Sequence, residues 1–313
     1  MSDLSVSIAL CTFNGEPFLE KQLNSLAEQT RQPDELVVCD DGSTDRTIEI
    51  LENFALKSSF PVKIFRNEKT LNYSKNFEKS ASLCSKDLIF FCDQDDVWQP
   101  EKISRVVNVF EENPEVGHVF HAFSTIDAED HLTERHDVPF GHSCTRFSFE
   151  ELEQILAKDS TQILCFGSLA YYGCMYAYRR VFNDVLIPFF PIGGHDLWVM
   201  CVLGALTDAR FLPEHLSLYR LHSANTSRVK RNIFQRLWMK CQKKWNHQTK
   251  QDLCRELVKR ISSQPVIRHP EVVEYLKEMT HFYYRQLRML KDWLGIRKDY
   301  MKAMRALLDE QKK

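Results

Sequence analysis

The first hundred residues alternate between short apolar runs and segments in which apolar residues recur at helical spacing. Four runs rich in branched and aromatic residues predict buried strands, at 6–11, 35–39, 62–65 and 88–92. The segments between them predict three helices, one from Pro17, one from Arg46 to Leu56 and one from Ser74 to Cys84. Strands that alternate with helices in this way predict βαβ units and a mostly parallel sheet.

Polar residues follow three of the predicted strands at the point where each strand ends. They are Thr12–Asn14, Asp40–Asp41 and Asp93–Asp96. Ligands of open parallel sheets bind outside the carboxyl ends of the strands. The three clusters therefore favour a single crevice of the nucleotide-binding type over three unrelated loops.

The segment Asp93-Gln94-Asp95-Asp96 places three carboxylates at the end of a buried strand. That concentration of negative charge favours a neutralising cation, and hard oxygen ligands favour Mg²⁺ or Mn²⁺ over zinc. Protein-bound Mg²⁺ is usually held by one or two carboxylates and takes further ligands from water and phosphate. The segment predicts a metal–diphosphate site, and the alternative is an acidic loop that is merely solvated.

Length and composition are those of one large domain with an appendage. The chain has 313 residues, of which 43% are hydrophobic. Its ten Cys show no CxxC or metal-ligand spacing, which favours reduced thiols in a cytosolic protein over a disulfide scaffold. The first residues lack the basic segment of a signal peptide, and no run of about 18 apolar residues predicts a membrane span.

The small net charge of −2 conceals an uneven distribution. Residues 1–225 contain 19 Lys and Arg against 34 Asp and Glu, a net charge of −15, whereas residues 226–313 contain 22 against 9, a net charge of +13. No acidic residue occurs between Glu214 and Asp252. The boundary near residue 225 separates a predicted catalytic domain, 1–225, from a basic, helical C-terminal region, 226–313.

The basic window contains apolar residues on one helical face, namely Phe234, Leu237, Trp238, Cys241 and Trp245. A basic helix with Trp on its apolar side suits an anionic membrane surface. The alternative, that this face packs on the catalytic domain, is equally well supported by the pattern. Nucleic acid is not an expected partner, because no nucleic-acid module accompanies the charge. The helical pattern of 271–313 could also support an oligomer.

Several motifs resemble those of the family 2 glycosyltransferases with a GT-A fold. The resemblance covers about residues 5 to 225, and the motifs occur in the same order: Thr12-Phe-Asn-Gly15, Asp40-Asp-Gly-Ser-Thr-Asp45, Asp93-Gln-Asp-Asp-Val-Trp98, Gly173-Cys-Met-Tyr-Ala-Tyr-Arg-Arg180 and His195-Asp-Leu-Trp198. Tyr219-Arg-Leu-His222 is similar to a motif of bacterial rhamnosyltransferase-like members. The implied fold is α/β, with a mostly parallel Rossmann-like sheet, helices on both faces and a C-terminal helical appendage.

The resemblance implies a general base, Asp196, and a metal held by Asp95, Asp93 and His222, with Mg²⁺ or Mn²⁺ as the cofactor. It implies a nucleotide pocket formed by Thr12, Phe13, Asn14, Glu16, Asp40, Asn67, Lys75 and Asp93. It implies a sugar and acceptor pocket formed by Asp96, Trp98, Gly173, Cys174, His195 and Trp198. Turn, cap or core roles are the alternatives for these residues; for Asp196 the alternative is a helix N-cap.

The implied activity is transfer of a sugar, with inversion, from a UDP- or dTDP-sugar to an acceptor hydroxyl of a bacterial surface polysaccharide, lipopolysaccharide or glycolipid. The expected location is cytoplasmic, with the inner face of the membrane as a peripheral site. The alternative is a catalytically silent nucleotide-binding module of a glycan-assembly complex. A nucleotidyltransferase would need a Gly-rich basic loop after the first strand, and Thr12-Phe-Asn-Gly-Glu16 is not such a loop.

Overall fold

The computed structural model describes residues 4–133, 173–190, 194–222 and 243–270, together with nine of the residues between 272 and 285. Its strands are β1 (Val6–Thr12), β2 (Glu35–Asp40), β3 (Val62–Arg66), β4 (Leu88–Asp93), β5 (Val97–Trp98), β6 (Val116–Ile126), β7 (Tyr176–Arg179) and β8 (Asp208–Arg220). Its α-helices are α1 (Leu19–Ala27), α2 (Thr47–Lys57), α3 (Tyr73–Leu83), α4 (Lys102–Glu112), α5 (Asn183–Leu186), α6 (His195–Leu206) and α7 (Lys243–Ser262).

All eight strands belong to one sheet, in the order β3-β2-β1-β4-β7-β6-β8-β5. The first four strands are parallel, as the alternation of strands and helices predicts. Beyond β4 the sheet becomes mixed, because β7 runs antiparallel to both β4 and β6 while β8 is parallel to β6. The four predicted strands and three predicted helices are all present, with α1 starting two residues later than expected.

The core lies on both faces of the sheet because successive side chains of a strand point to opposite faces. In β1, Ile8 and Leu10 pack with residues of α1 and α4, whereas Ala9 and Cys11 pack with residues of α3 and α6. Each fully buried aliphatic side chain stabilises the fold by roughly 1.5–3 kcal/mol. The sheet is thereby held rigid under the loops at its carboxyl edge.

The second half of α7 packs on the core of the sheet domain. Leu257 and Ile261 are buried in the same cluster as Trp198 of α6. Arg260 donates a hydrogen bond to the carbonyl of Val185, 2.9 Å away, and lies over the Trp198 ring. The described part of the C-terminal region is therefore continuous with this core. Phe234, Leu237, Trp238 and Cys241, expected on one helical face, lie outside the described residues. Within the described part, no helix has both the length and the apolar character that a membrane crossing requires.

Candidate active site

The ends of three parallel strands lie side by side at one edge of the sheet. Thr12 of β1 is in register with Asp40 of β2, and Cys11 of β1 is in register with Asp93 of β4. The three polar clusters that come after these strands in the sequence therefore lie along a single edge. This arrangement is the crevice that the strand pattern predicts.

The loops after β1 and β2 are joined by hydrogen bonds from backbone to side chain. The backbone N–H groups of Asn14 and Gly15 donate to the hydroxyls of Ser43 and Thr47, each at 2.8 Å. The N–H of Glu16 donates to Asp45 Oδ2 at 3.1 Å. Because the β1 loop is held by its backbone, side chains such as Phe13, which is 50% exposed, remain directed to solvent.

Gln94 ties the acidic loop after β4 to the loop after β1. Its Oε1 accepts from the Phe13 N–H at 2.8 Å, and its Nε2 donates to the Phe13 carbonyl at 3.0 Å. A Cβ atom on Gly15 would lie 2.4 Å from Gln94 Oε1, closer than non-bonded atoms can approach. A side chain at position 15 would therefore force the Gln94 amide to move, and the two-bond contact fixes Phe13 next to the carboxylates.

Asp40 is fully buried and serves as an internal acceptor for its own loop. Its Oδ1 accepts from the N–H groups of Gly42 and Ser43, and its Oδ2 accepts from the hydroxyls of Thr12 and Ser43. Four protein donors thus surround the carboxylate that we expect to contact a pyrimidine base. A base N–H could reach Asp40 only by replacing one of them.

Asp41, which belongs to the Asp40–Asp41 cluster but has no predicted role of its own, fixes the approach to α3. Its Oδ1 accepts from the Leu71 N–H at 2.7 Å and its Oδ2 from the Asn72 N–H at 2.9 Å. Asn67 donates to the same carboxylate at 2.8 Å and accepts from Lys79 at 2.7 Å. The buried Asn67 is thereby engaged with protein groups on both sides of its amide.

Lys75, expected at the diphosphate, is paired within the protein. Its Nζ donates to Glu78 at 2.5 Å and to the carbonyl of Phe189 at 3.0 Å. The ion pair lies within α3, and the hydrogen bond to Phe189 joins this helix to the segment before α6. A contact with a diphosphate would use the third ammonium proton or replace one of these acceptors.

β8 returns beside the acidic loop and brings two basic side chains to it. Pairing of β5 with β8 aligns Val97 with Leu218. His222 Nε2 lies 2.7 Å from Asp95 Oδ2, and its ring lies 4.6 Å from the ring of Phe18. The Arg220 side chain is fully buried, and its Nε donates a hydrogen bond to the Asp95 carbonyl at 2.8 Å. The backbone N–H of Arg220 donates to Asp96 Oδ1 at 3.1 Å. The predicted metal residues Asp95 and His222 are therefore in direct contact.

Asp93 and Asp96 form a second group of ligand atoms with Cys174. One ligand atom from each lies within 4.8 Å of the others. Burial and the charge of Asp95 raise the pKa of Asp96 to about 7, and its Oδ2 is buried with no hydrogen-bond partner. Burial and the charges of Asp96, Asp95 and Asp196 raise the pKa of Asp93 well above its usual value. Neighbouring carboxylates with an unpaired oxygen are the donor set that a divalent cation neutralises.

Lys102, which the sequence analysis does not select, is a buried cation beneath this loop. Its Nζ donates to the carbonyl of Cys174 at 2.6 Å and to the hydroxyl of Ser217 at 3.0 Å, and it lies 3.6 Å from the centre of the Trp98 ring. Burial lowers its pKa to about 8. The sequence signal that could have identified Lys102 is its position on the otherwise apolar face of α4. A lysine is rarely buried at such a position unless it has polar partners.

Asp196 lies in the first turn of α6, beside the acidic edge. Gly194, at φ 90°, occupies the N-cap position, so Asp196 is not the N-cap residue. Its Oδ1 accepts from the Leu197 N–H at 2.8 Å, and burial raises its pKa to about 6. The ring of His195, the residue before Asp196, lies 5.0 Å from the ring of Phe91 in β4, which places the start of α6 beside the end of that strand. The charge of Asp196 contributes to the raised pKa of Asp93.

The remaining residues expected in the sugar and acceptor pocket pack beneath the site. The His195 ring stacks on Phe77 with centroids 4.0 Å apart, and burial lowers its pKa to about 3, so it is uncharged. Trp198 is fully buried and donates to the Leu186 carbonyl at 2.8 Å. All six residues expected in the sugar and acceptor pocket are buried: Asp96, Trp98, Gly173, Cys174, His195 and Trp198.

The fold and the strand-edge site define the class: structural neighbours of this chain are GT-A glycosyltransferases. Staphylococcus aureus TarS 1-349, solved in complex with UDP-GlcNAc, is 15% identical with a TM-score of 0.60, covering 90% of this chain and 72% of that chain. A mannosyltransferase from Pyrobaculum calidifontis, solved with GDP-Man and Mn²⁺, is 15% identical with a TM-score of 0.55. The match covers 90% of this chain and 70% of that chain. At this level of identity the likeness concerns the fold.

The family follows from the sequence match. The chain belongs to glycosyl transferase family 2, whose model matches residues 7–186. An uncharacterized glycosyltransferase of Nostoc is 26% identical over 226 residues, covering 71% of this chain and 66% of the relative. The dTDP-rhamnosyl transferase RfbG of Shigella flexneri is 36% identical over 103 residues, covering 32% of this chain and 36% of the relative. The matches span between about a third and two thirds of these relatives' lengths.

Proposed function

We propose that this chain is an inverting glycosyltransferase that moves a sugar from a UDP- or dTDP-sugar to an acceptor hydroxyl. The acceptor we propose is a glycan or glycolipid of a bacterial surface polysaccharide or lipopolysaccharide. One observation carries the proposal: Asp196, partly buried in the first turn of α6, lies beside the polar edge formed by three parallel strands, where the neighbouring His195 ring is 5.0 Å from the ring of Phe91 in β4. Burial raises the pKa of Asp196 to about 6.

The donor would lie across the ends of β1, β2 and β4. The exposed Phe13 ring offers a stacking face for the base, with Thr12, Asn14 and Glu16 beside it. A pyrimidine nucleotide agrees with the names of two similar proteins, a dTDP-rhamnosyl transferase and a protein crystallised with UDP-GlcNAc. Asp40 would act mainly by holding the loop after β2 in the conformation that borders this pocket.

Asp95, Asp93 and His222 would hold a divalent metal ion, Mg²⁺ or Mn²⁺. The residues fit such an ion, because Asp95 and His222 converge and the buried Asp96 Oδ2 nearby has no hydrogen-bond partner. When bound, the ion would stabilise the negative charge of the departing diphosphate as a Lewis acid. Arg220 of β8 holds the loop that carries these ligands through the Asp95 carbonyl, and Lys102 fixes the neighbouring Cys174 through its carbonyl.

Asp196 would take the proton of the acceptor hydroxyl. A carboxylate with a pKa near 6 is ionised at neutral pH, yet is a stronger base than an ordinary aspartate. The acceptor oxygen would attack the anomeric carbon from the face opposite the diphosphate. A single displacement inverts the configuration at that carbon and requires no second nucleophile.

A catalytically silent nucleotide-binding module is the second candidate. It shares the donor pocket, so nucleotide binding does not separate it from an enzyme. Asp95 and Asp196, the residues that a silent module has no need to retain, are both present. Turnover of a donor sugar is the property that only the enzyme has.

The experiment measures the thermal unfolding of the protein with UDP, dTDP, GDP and CDP, each with and without Mn²⁺ or Mg²⁺. A ligand that binds only the folded state raises the melting temperature by mass action. We expect a metal-dependent rise with UDP or dTDP alone, and its loss in Asp95→Ala. The sugar conjugates of that nucleotide are then tested for release of nucleoside diphosphate. No shift with any nucleotide, or binding without turnover, would contradict the transferase.

A further inference from the structure

Tyr73 is an exposed aromatic residue beside Asp196 that the proposed donor and metal sites do not use. It is the first residue of α3, and half of it remains exposed. Its ring lies 6.3 Å from the ring of His195, the residue that precedes the proposed base. Burial and the charge of Asp196 raise the pKa of its hydroxyl, which therefore stays protonated at neutral pH.

The backbone on the N-terminal side of Tyr73 is fixed to the end of β2. Both oxygens of the Asp41 carboxylate accept hydrogen bonds from this segment, one from Leu71 and one from Asn72. Asn72 adopts φ 67°, a left-handed conformation that asparagine tolerates better than most residues. Tyr73 is thus positioned by the same strand edge that carries the proposed donor site.

The Tyr73 hydroxyl and the Asp196 carboxylate lie close together beside Gly194. A Cβ atom on Gly194 would lie 2.5 Å from Asp196 Oδ1 and 3.8 Å from the Tyr73 hydroxyl, so these two oxygens are separated by no more than the sum of those distances. An acceptor hydroxyl between them would be within hydrogen-bond reach of both, and the Asp196 carboxylate can accept hydrogen bonds besides the one from Leu197.

We propose that Tyr73 is a catalytic residue that orients the acceptor: its hydroxyl donates a hydrogen bond to the acceptor oxygen, and its exposed ring face packs on the acceptor sugar. This role rests on the proposed glycosyl transfer. One lone pair of the acceptor oxygen accepts the hydrogen bond from Tyr73, and the acceptor O–H points to Asp196. The other lone pair of that oxygen is then free to attack the anomeric carbon, C1. The proton passes to Asp196 and the acceptor O–C1 bond forms. The C1–O bond to phosphate breaks, and its electron pair leaves with the nucleoside diphosphate.

The two parts of the role give different kinetic signatures. Tyr73→Phe keeps the ring and removes only the hydroxyl, so we expect turnover to fall about tenfold, with the KM for the acceptor within about twofold of wild type. Tyr73→Ala also removes the ring, so we expect the KM for the acceptor to rise about fivefold in addition. The donor KM should stay unchanged in both variants.

The test uses the full chain with the donor sugar chosen by nucleotide screening. Octyl glycosides of rhamnose, glucose, galactose and N-acetylglucosamine serve as acceptor probes, and water alone serves as an acceptor-free nucleophile. Release of nucleoside diphosphate is the readout. Ser74→Ala is the matched control, because it removes a buried, unpartnered hydroxyl from the adjacent position on the same helix. Its turnover should equal that of wild type.

The outcomes separate this role from the function on which it rests. Wild-type protein that releases no nucleoside diphosphate with any nucleophile contradicts the glycosyl transfer itself. If the wild type is active and Tyr73→Phe is equally active with every nucleophile, the role of Tyr73 is overturned and the glycosyl transfer is not. Equal losses in Tyr73→Phe and Ser74→Ala would show a packing effect at the start of α3 and would also overturn it.

Discussion

At the scale of single residues, the site combines carboxylates whose surroundings give them different properties. Asp40 is saturated by four donors, whereas Asp96 keeps a buried oxygen without a partner. Asp196 accepts a backbone hydrogen bond in the first turn of α6, and burial raises its pKa to about 6. These differences suit separate tasks: bracing a loop, neutralising a cation and accepting a proton.

The raised pKa of Asp196 predicts an acidic limb in the pH profile of turnover. The base acts in its ionised form, so turnover should be constant above about pH 7 and fall toward tenfold per pH unit below pH 6. An aspartate with an ordinary pKa would keep its activity to about pH 4. Initial rates at saturating donor, with circular dichroism to verify folding at each pH, measure the limb. Full activity at pH 5 would contradict the assignment.

At the scale of elements, the strands β1, β2 and β4 carry the site, and contacts between the loops at their carboxyl ends align the polar side chains. The local patterns predict these strands and their polar ends correctly because both signals lie within a few residues. Lys102 and Tyr73 are missed, and the role of Asp41 is not predicted, because these roles come from contacts with distant parts of the chain. The motif resemblance also could not show that His195 and Trp198 pack in the core. Nearly every side of α6 is buried, so its sequence pattern does not distinguish core positions from pocket positions.

Gly15→Ala tests the contact between the loops after β1 and β4. The new methyl group would displace the Gln94 amide and break both of its hydrogen bonds to Phe13. Since Gly15 does not have positive φ, the backbone itself should tolerate alanine. We expect a loss of about 1–3 kcal/mol in the free energy of unfolding and weaker donor binding.

A double-mutant cycle identifies the cause of that loss. In a Gln94→Ala background the amide is absent, and only the Cβ of residue 94, 3.5 Å from the new methyl group, remains in contact. In this background, Gly15→Ala should lower the free energy of unfolding by less than half as much as it does in wild type, as measured by urea unfolding. An equal cost in both backgrounds would mean that Gly15 is required for another reason.

At the scale of the whole molecule, one sheet edge collects residues that are far apart in the sequence. Thr12, Asp95, Asp196 and His222 reach it from four segments, and β8 supplies the last by returning beside β5. α7 packs on α6 through Leu257 and Ile261, so the C-terminal region contributes to the same core. The acidic 1–225 segment and the basic segment after it therefore meet in one structure.

The charge distribution predicts binding to anionic membranes through the start of α7 and the residues before it. We expect wild-type protein to sediment with vesicles containing phosphatidylglycerol, and the triple variant Lys240→Glu, Lys243→Glu, Lys244→Glu to bind at least a hundredfold more weakly. The control reverses three lysines of the acidic segment, Lys57, Lys69 and Lys86, and should bind like wild type. Wild-type protein that stays in the supernatant at low salt would contradict the prediction.

The measurement that tests the account most directly compares wild type with Asp196→Asn for both donor affinity and turnover. Asparagine has nearly the same size and can still accept the Leu197 hydrogen bond, but it is not a base at neutral pH. We predict a donor Kd within about twofold of wild type by calorimetry, and turnover reduced at least a hundredfold. Turnover close to that of wild type would show that Asp196 is not the base, and would contradict the mechanism proposed for this site.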